Sequence, residues 1–137
     1  MKILPKQRGL LLFSIDCSKI LNKLILKSNY EIWFLPFSDI SIFQINLNLA
    51  IASIYVDNKR FWFTFTHSEK RLLLELLDKN NYKKVSQFYY AKLEDCLYID
   101  EKTCELVLKN GFSIKNIYRT KLIMGQINFS IKNQITK

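Results

Sequence analysis

The chain has few of the residues from which catalytic and metal-binding sites are usually built. It contains one histidine, three glycines and three cysteines among 137 residues. Because the cysteines lack C-x-x-C spacing, neither a zinc site nor a disulfide framework is predicted, and a reducing compartment is favoured. There is no glycine-rich phosphate loop or metal-ligand cluster. We therefore predict that the protein is not an enzyme and needs no cofactor or small-molecule substrate.

The single histidine does not change this prediction. His67 is next to Ser68, but adjacency in sequence does not place a base against a nucleophile in the geometry that catalysis needs. We interpret His67 as a turn residue. A small enzyme without a recognisable motif is the catalytic alternative.

Acidic residues are missing from the C-terminal part of the chain. The formal net charge is +9, and residues 106–137 hold six basic groups and no acid. Residues 1–30 hold six basic groups and one acid. Such a positive field attracts polyanions, either nucleic acid or an anionic membrane surface. The alternative interpretation of the positive charge is a soluble basic protein that binds no polyanion.

One uncharged run, residues 40–56, raises the question of a membrane span. A spanning helix needs about 20 mostly apolar residues, and this run is shorter and includes Gln44, Asn46 and Asn48. We expect no stable membrane insertion. The run nevertheless supports one alternative function, an accessory subunit of an organellar membrane complex.

The N-terminal half shows several patterns typical of secondary structure. Residues 16–28 are predicted to form a helix, and residues 30–37 an extended segment. Residues 43–49 alternate as in a strand, but residues 46–57 also fit one side of a helix, and both possibilities stay open. Phe61, Phe63 and Phe65 then share one face of a strand, which is interpreted as core.

A leucine-rich helix and several strands follow. Ser68 is the predicted N-cap of a helix over residues 69–79, which ends at Asn80 and Asn81. The later predicted strands are residues 83–93, a hairpin of 97–100 with 105–109, and residues 113–119 and 126–132. In the last of these, Asn128, Ser130 and Lys132 share the polar face.

These elements predict an α+β fold in which residues 96–137 form a small, mostly antiparallel β unit. The polar strand face and the acid-free tail of this unit suit the 2′-hydroxyls and phosphates of an RNA minor groove. Aromatic stacking on single-stranded bases is the competing mode of binding.

Three stretches resemble the family of small-subunit ribosomal protein eight. They are NLNLAIASIYVDNKRFWFTFTHSEKRLLLELLDKNNYKKV, LVLKNGFSIKNIYRTK and FSIKNQITK. Ser68 matches a turn serine of the family, and Lys109 and Arg119 take the positions of its basic residues. The last stretch is similar to the polar loop that the family presses into an RNA minor groove. Over residues 45–137 the resemblance implies an RNA-binding protein. It also implies a helix/strand/helix/strand unit over residues 45–95, a β-rich RNA-binding unit over residues 96–137, and an N-terminal extension over residues 1–44 that has no counterpart in the family.

The resemblance and the basic residues together give a specific expectation. The chain would be a structural constituent of the small ribosomal subunit, and its partners would be ribosomal RNA and neighbouring ribosomal proteins. The abundance of Ile, Asn and Lys is typical of an AT-rich genome, such as that of an organelle or a parasite. Together with the resemblance it suggests a mitochondrial, organelle-encoded protein. The predicted RNA contacts are Lys59, Arg60, Ser68, Lys70, Lys109, Lys115, Arg119, Lys121, Ser130, Lys132, Asn133 and Thr136.

Overall fold

The computed structural model describes the backbone of residues 12–16 and 135, together with residues 23–57 and 59–134 in full. This part of the chain has an α+β fold with two helices and eleven strands. The helices are α1 (His67–Lys79) and α2 (Lys121–Ile135). The strands are β1 (Leu12–Asp16), β2 (Lys23–Lys27), β3 (Ile32–Pro36), β4 (Ile42–Asn46), β5 (Ile51–Val56), β6 (Lys59–Thr64), β7 (Tyr82–Lys84), β8 (Tyr89–Lys92), β9 (Cys96–Asp100), β10 (Glu105–Leu108) and β11 (Ser113–Ile114).

The strands form two sheets. The larger has eight strands in the order β3-β2-β1-β6-β5-β4-β8-β7, and the smaller has three in the order β11-β10-β9. Neighbouring strands are antiparallel except β1 and β6, which are parallel. The larger sheet curls strongly, because Trp33 on β3 meets Phe61 three strands away with ring centroids 5.1 Å apart.

Two hydrophobic cores hold these layers together. The first lies between the concave face of the large sheet and α1, where Phe61, Phe63 and Phe65 are buried, as predicted, with Leu73 and Leu77 of the helix. The second lies between β4 and β8 of the large sheet, the small sheet and α2. Its members include Ile42, Ala91, Leu106, Leu108 and Ile127.

The predicted helix over residues 16–28 is wrong. Residues 23–27 form β2, whose Leu24 and Leu26 point into the first core. Pairing with β1 and β3 fixes this segment as a strand and places Leu24 and Leu26 on the same face of the sheet. Residues 17–22 lie outside the described part of the chain. Strands β2 and β3 belong to the same sheet as β4–β8, so the predicted boundary at residue 44 falls inside one continuous sheet and core.

The ambiguous stretch from residue 43 to residue 57 is a β-hairpin. Strands β4 and β5 pair antiparallel, for example Phe43 with Ile54, around a turn over residues 47–50. Ala50 adopts a positive φ of 54°, which allows this turn to close. Within the described residues, no helix combines the length and apolarity that crossing a bilayer requires.

Helix α1 begins two residues earlier than predicted. Its N-cap is Thr66 and not Ser68, because the Glu69 N–H donates to Thr66 Oγ1 at 3.2 Å and the Thr66 N–H donates to Glu69 Oε1 at 2.8 Å. This reciprocal pair is a capping box. The predicted end is confirmed, with Asn80 as the C-cap and Asn81 at a φ of 67°.

The C-terminal segment differs most from its prediction. Residues 126–132 lie in helix α2 and not in a strand. Ile123, Ile127 and Ile131 follow the i, i+4, i+8 spacing of a helix and pack on the second core, whereas Phe129 is 67% exposed. The hairpin of β9 and β10 is confirmed. Of the strands predicted over 83–93 and 113–119, the first is split into β7 and β8 and the second is only Ser113–Ile114.

Candidate nucleic-acid interface

Two turns of the large sheet lie side by side. Strands β4 and β8 pair antiparallel, so the β4–β5 turn and the β7–β8 turn are at the same end of these strands. The Ile45 N–H donates to Phe88 O at 2.7 Å and joins them directly. The Phe65 N–H donates to Ala50 O at 3.3 Å, which places the N-terminus of α1 beside the same end.

The segment before α2 completes this end of the molecule. The Tyr118 N–H donates to Val85 O at 2.7 Å, which ties the segment to the β7–β8 turn. On its other side, the Ile117 N–H donates to Cys104 O at 3.3 Å in the β9–β10 turn. Residues 46–50, 84–90 and 115–121 therefore form one continuous region, which we call the three-loop surface.

The three-loop surface is basic and contains no acidic residue. Its cationic side chains are Lys84, Lys115, Arg119 and Lys121, of which Lys84 is half-buried and the others are exposed. The Arg119 Nε–H donates to Cys104 Sγ at 3.1 Å, which holds the guanidinium across the β9–β10 turn. A cluster of cations without carboxylates gives a local positive potential.

Carboxylates lie outside the three residue ranges of this surface, and some of them lie directly beside it. The opposite ends of β4, β5 and β8 carry nearly equal numbers of acidic and basic residues. The acidic residues are Asp39, Asp57, Glu94 and Asp95, and the basic residues are Lys59, Lys92 and Lys109. The β9–β10 turn carries Asp100 and Glu101 next to Lys102, and Asp100 Oδ1 accepts from the Lys102 N–H at 3.1 Å. This acidic turn bounds the three-loop surface beside Arg119.

A small cavity of about 180 Å³ opens between the β4–β5 and β7–β8 turns. It is lined mainly by polar groups, including Asn46, Asn48, Lys84 and Gln87, together with Phe88. The Leu49 N–H donates to Asn46 Oδ1 at 3.0 Å, so Asn46 shapes the turn. Asn48 and Gln87 are exposed and present their amides on the rim of the cavity.

Tyr90 lies at the inner side of this cavity. Burial, and secondly the neighbouring Tyr118, raise the pKa of Tyr90. Near pH 7 a tyrosine hydroxyl is neutral even without this shift, and it can act as a hydrogen-bond donor or acceptor. Within residues 23–57 and 59–134, no three acidic, histidine or cysteine side chains converge as a metal site requires.

The predicted contact residues divide between this surface and other places. The structure brings Lys115, Arg119 and Lys121 together in the three-loop surface, and Ser68 lies beside it at the start of α1. Lys70 is half-buried on α1. Lys109 follows β10 at the opposite end, where its N–H donates to Asp95 O at 2.8 Å.

Lys59 and Arg60 stabilise the large sheet. Arg60 Nη2 donates to Gln44 Oε1 at 2.6 Å, and its guanidinium carbon lies 4.2 Å from the ring centre of Trp62. Lys59 Nζ is 4.7 Å from the ring centre of Trp33. Cation–π and hydrogen-bonding contacts of this kind occupy both side chains within the fold.

The predicted polar strand face of the C-terminal segment does not form. Because residues 126–132 are helical, Ser130, Lys132 and Asn133 do not share a strand face with a following loop. The Ser130 hydroxyl donates to Leu93 O at 2.9 Å and so helps to hold α2 on the protein. Thr136 lies outside the described residues.

Sequence reasoning missed Lys84, Asn48 and Gln87. Each residue is at or beside a turn. The polar turn segments NLNLA and KVSQF were the only feature of the sequence that could have indicated them. Their proximity depends on the pairing of β4 with β8, between residues more than forty positions apart in the chain. The pairing of two strands so far apart in the chain cannot be predicted from local hydrophobic periodicity.

Comparisons with known proteins find a similarity in fold but none in sequence family. No protein-family model and no curated protein matches the sequence. Among solved structures, the LytTr DNA-binding domain of a protein described as a methyl-accepting/DNA response regulator from Bacillus cereus is similar, with a TM-score of 0.51. The match has 14% identity and covers 69% of this chain and 84% of that domain. The likeness is one of fold.

Proposed function

We propose that this protein is a non-enzymatic module that binds double-stranded DNA through the three-loop surface. The observation that carries the proposal is the presence of Lys84, Lys115, Arg119 and Lys121 on adjoining segments that contain no acidic residue. The likeness in fold to a domain described as DNA-binding gives independent support. Phosphate neutralisation by Lys and Arg supplies much of the affinity of proteins for duplexes.

The shape of the surface favours a DNA duplex over an RNA duplex. Asn48 and Gln87 stand on neighbouring turns, and exposed amides on protruding turns can enter the wide major groove of B-form DNA. The major groove of A-form RNA is too deep and narrow for side chains to read. Amide side chains pair best with adenine in the major groove, so we expect these two residues to contribute sequence preference.

The role in a mitochondrial small ribosomal subunit stays a prediction from the sequence. It relied on a polar strand over residues 126–132, a segment that is helical. The basic residues it named at Lys115, Arg119 and Lys121 also belong to the three-loop surface. Both proposals therefore share these three residues, but the ribosomal prediction also names Lys59, Lys109 and Lys132, which lie outside the three-loop surface. The kind of nucleic acid bound distinguishes the two proposals.

The test is a binding titration with a matched charge control. The variant K115Q/R119Q/K121Q removes three charges from the three-loop surface, and the control K79Q/K109Q/K132Q removes three charges elsewhere. Each protein is titrated against a fluorescent DNA duplex and a structured RNA hairpin at several salt concentrations. We expect the surface variant to bind DNA at least about tenfold more weakly and to lose about 0.9 in salt slope for each phosphate contact removed. The control should keep the slope of the unmodified protein.

Two results would contradict the proposal. Equal losses in the two variants would mean that net charge, and not the three-loop surface, determines binding. Tighter binding to the RNA hairpin than to the duplex at the same salt concentration would favour the ribosomal prediction instead.

A further inference from the structure

Strand β3 is an open edge of the large sheet. It is the last strand in the sheet order, and no described residue pairs with its outer side. The Ser28 N–H donates to Glu31 O at 2.9 Å and closes the β2–β3 hairpin. Backbone groups alternate in direction along an antiparallel strand. The N–H and C=O groups of Ile32 and Phe34 therefore point away from β2, as does the C=O of Pro36.

The side chains of this edge are apolar. Ile32 is 55% exposed and Phe34 is 58% exposed, and the two lie on the same face of the sheet. The five residues of β3 include no charge, whereas exposed edge strands in natural proteins usually carry charges, bulges or proline that prevent pairing. Within β3, only Pro36 restricts pairing with a further strand, because it has no N–H to donate.

We propose that β3 pairs antiparallel with β3 of a second copy of this chain, around a twofold axis at Trp33. In this register Ile32 lies opposite Phe34 of the second copy, and the symmetry repeats the pair. The outward N–H and C=O groups of both residues are then satisfied, and the two exposed side chains cover each other across the strands. A twofold axis produces such a self-complementary contact without a second kind of surface.

Other registers satisfy fewer groups. An axis at Phe34 would place Ile32 opposite Pro36, which has no donor. An axis at Ile32 would place Phe34 opposite Tyr30, whose N–H already donates to Ser28 Oγ at 3.2 Å. Only the register centred on Trp33 satisfies both the outward N–H and the outward C=O groups of Ile32 and Phe34. This edge is thus complementary to itself about a twofold axis, which favours a second copy as its partner.

Electrostatic repulsion does not prevent this pairing. Lys23 and Lys27 on β2 are the nearest exposed cations on the same face. The two β2 strands of the dimer would be three strand spacings apart, about 14 Å. That separation exceeds the screening length of about 8 Å at physiological salt. Because a five-residue strand buries little area, we expect a weak dimer with a micromolar dissociation constant.

Sedimentation equilibrium of the full chain over a range of concentrations tests the proposal. The unmodified protein should pass from monomer to dimer, and the variant F34K should dimerise at least about tenfold more weakly because it places a lysine inside the pairing region. The matched control is F129K, which adds the same charge at an exposed phenylalanine on α2 and should dimerise normally. Amide hydrogen exchange adds a second readout, in which Ile32 and Phe34 become protected as the protein concentration rises.

The outcomes distinguish this inference from the proposed function. A protein that stays monomeric at every concentration, or a dimer that F34K leaves intact, would overturn the β3 interface. If F34K does not fold, the exchange of the Ile32 and Phe34 amides in the unmodified protein decides: protection that rises with concentration supports the interface, and constant exchange overturns it. None of these results depends on DNA binding.

Discussion

The Tyr118 N–H lies 2.7 Å from Val85 O. This hydrogen bond joins the segment before α2 to the β7–β8 turn, across 33 positions of sequence. It places the basic residues at 115–121 beside the polar turns of the large sheet. The Ile117 N–H bond to Cys104 O and the packing of α2 on the second core hold the same segment from its other side. The proposed duplex-binding surface depends on these contacts together.

Arg119 is expected to contact a phosphate. Replacing it with glutamine should weaken duplex binding for all sequences alike and reduce the salt slope by about 0.9, since one counterion-releasing contact is lost. Replacement with lysine should restore most of the slope because the charge returns. Fluorescence anisotropy across a salt series measures both variants. An R119Q slope equal to that of the unmodified protein would show that Arg119 does not contact the backbone.

The capping box at the start of α1 predicts different effects of two neighbouring substitutions. Thr66→Ala should lower the free energy of unfolding by about 1 kcal/mol, because the Glu69 N–H loses its acceptor. Ser68→Ala should change it by less than about 0.5 kcal/mol, since Ser68 Oγ contacts only Thr66 Oγ1 at the exposed surface. Urea unfolding of the two variants makes the comparison. A larger loss of stability in Ser68→Ala than in Thr66→Ala would show that Ser68 is the N-cap, as the sequence predicted.

Tyr82 connects the second half of the large sheet to the loop after β3. Its hydroxyl lies 2.6 Å from Ile40 O and 3.0 Å from Phe37 O, in a fully buried position. Tyr82→Phe leaves Ile40 O without its donor and should cost about 1–3 kcal/mol. Tyr98→Phe, at a 51% exposed position, is the control and should be nearly neutral. Equal unfolding midpoints for the two variants would show that the buried hydroxyl contributes nothing to stability.

The structure predicts a loss of stability at alkaline pH. Burial, and secondly Asp95, raise the pKa of the Cys96 thiol from 9.0 to about 12, although Lys109 opposes part of the shift. In the unfolded chain this thiol ionises near its ordinary value, so from about pH 9 to pH 12 only the unfolded state releases the proton. Stability is therefore complete below this window and falls as the pH rises through it, by at most about 1.4 kcal/mol per pH unit.

Cys96→Ala should flatten this alkaline slope, because the ionisable group is gone. Burial also raises the pKa values of Tyr82 and Tyr90, so part of the slope should persist in the variant. Urea unfolding at a series of pH values measures the difference. An identical slope in the variant would mean that Cys96 does not control the alkaline response.

Local patterns were sufficient for the centre of the fold. The strand with Phe61 and Phe63, the leucine-rich helix and the hairpin of β9 and β10 each carry a clear period and clear turn residues, and each is confirmed. The same local reasoning failed for residues 23–27. Helical and strand spacings both fit such a short apolar run, and only long-range pairing with β1 and β3 decides between them.

The C-terminal segment shows a similar limit. Ile127 and Ile131 fit a strand alternation with Phe129, and they also fit a helix with Ile123. The second core selects the helix because Ile127 is buried there while Phe129 points outward. The sequence identified Lys115, Arg119 and Lys121 as candidates from charge alone. It did not reveal their neighbours, because the turns that accompany them come from strands distant in the chain.

Amide hydrogen exchange with and without a DNA duplex tests the central claim most directly. The account predicts slower exchange on DNA binding at residues 46–50, 84–90 and 115–121, which form the three-loop surface. Residues 128–134 of α2 and the turn at residues 109–112 should exchange as they do in the free protein. Protection confined to α2 or to the 109–112 turn, with none at the three-loop surface, would contradict the account.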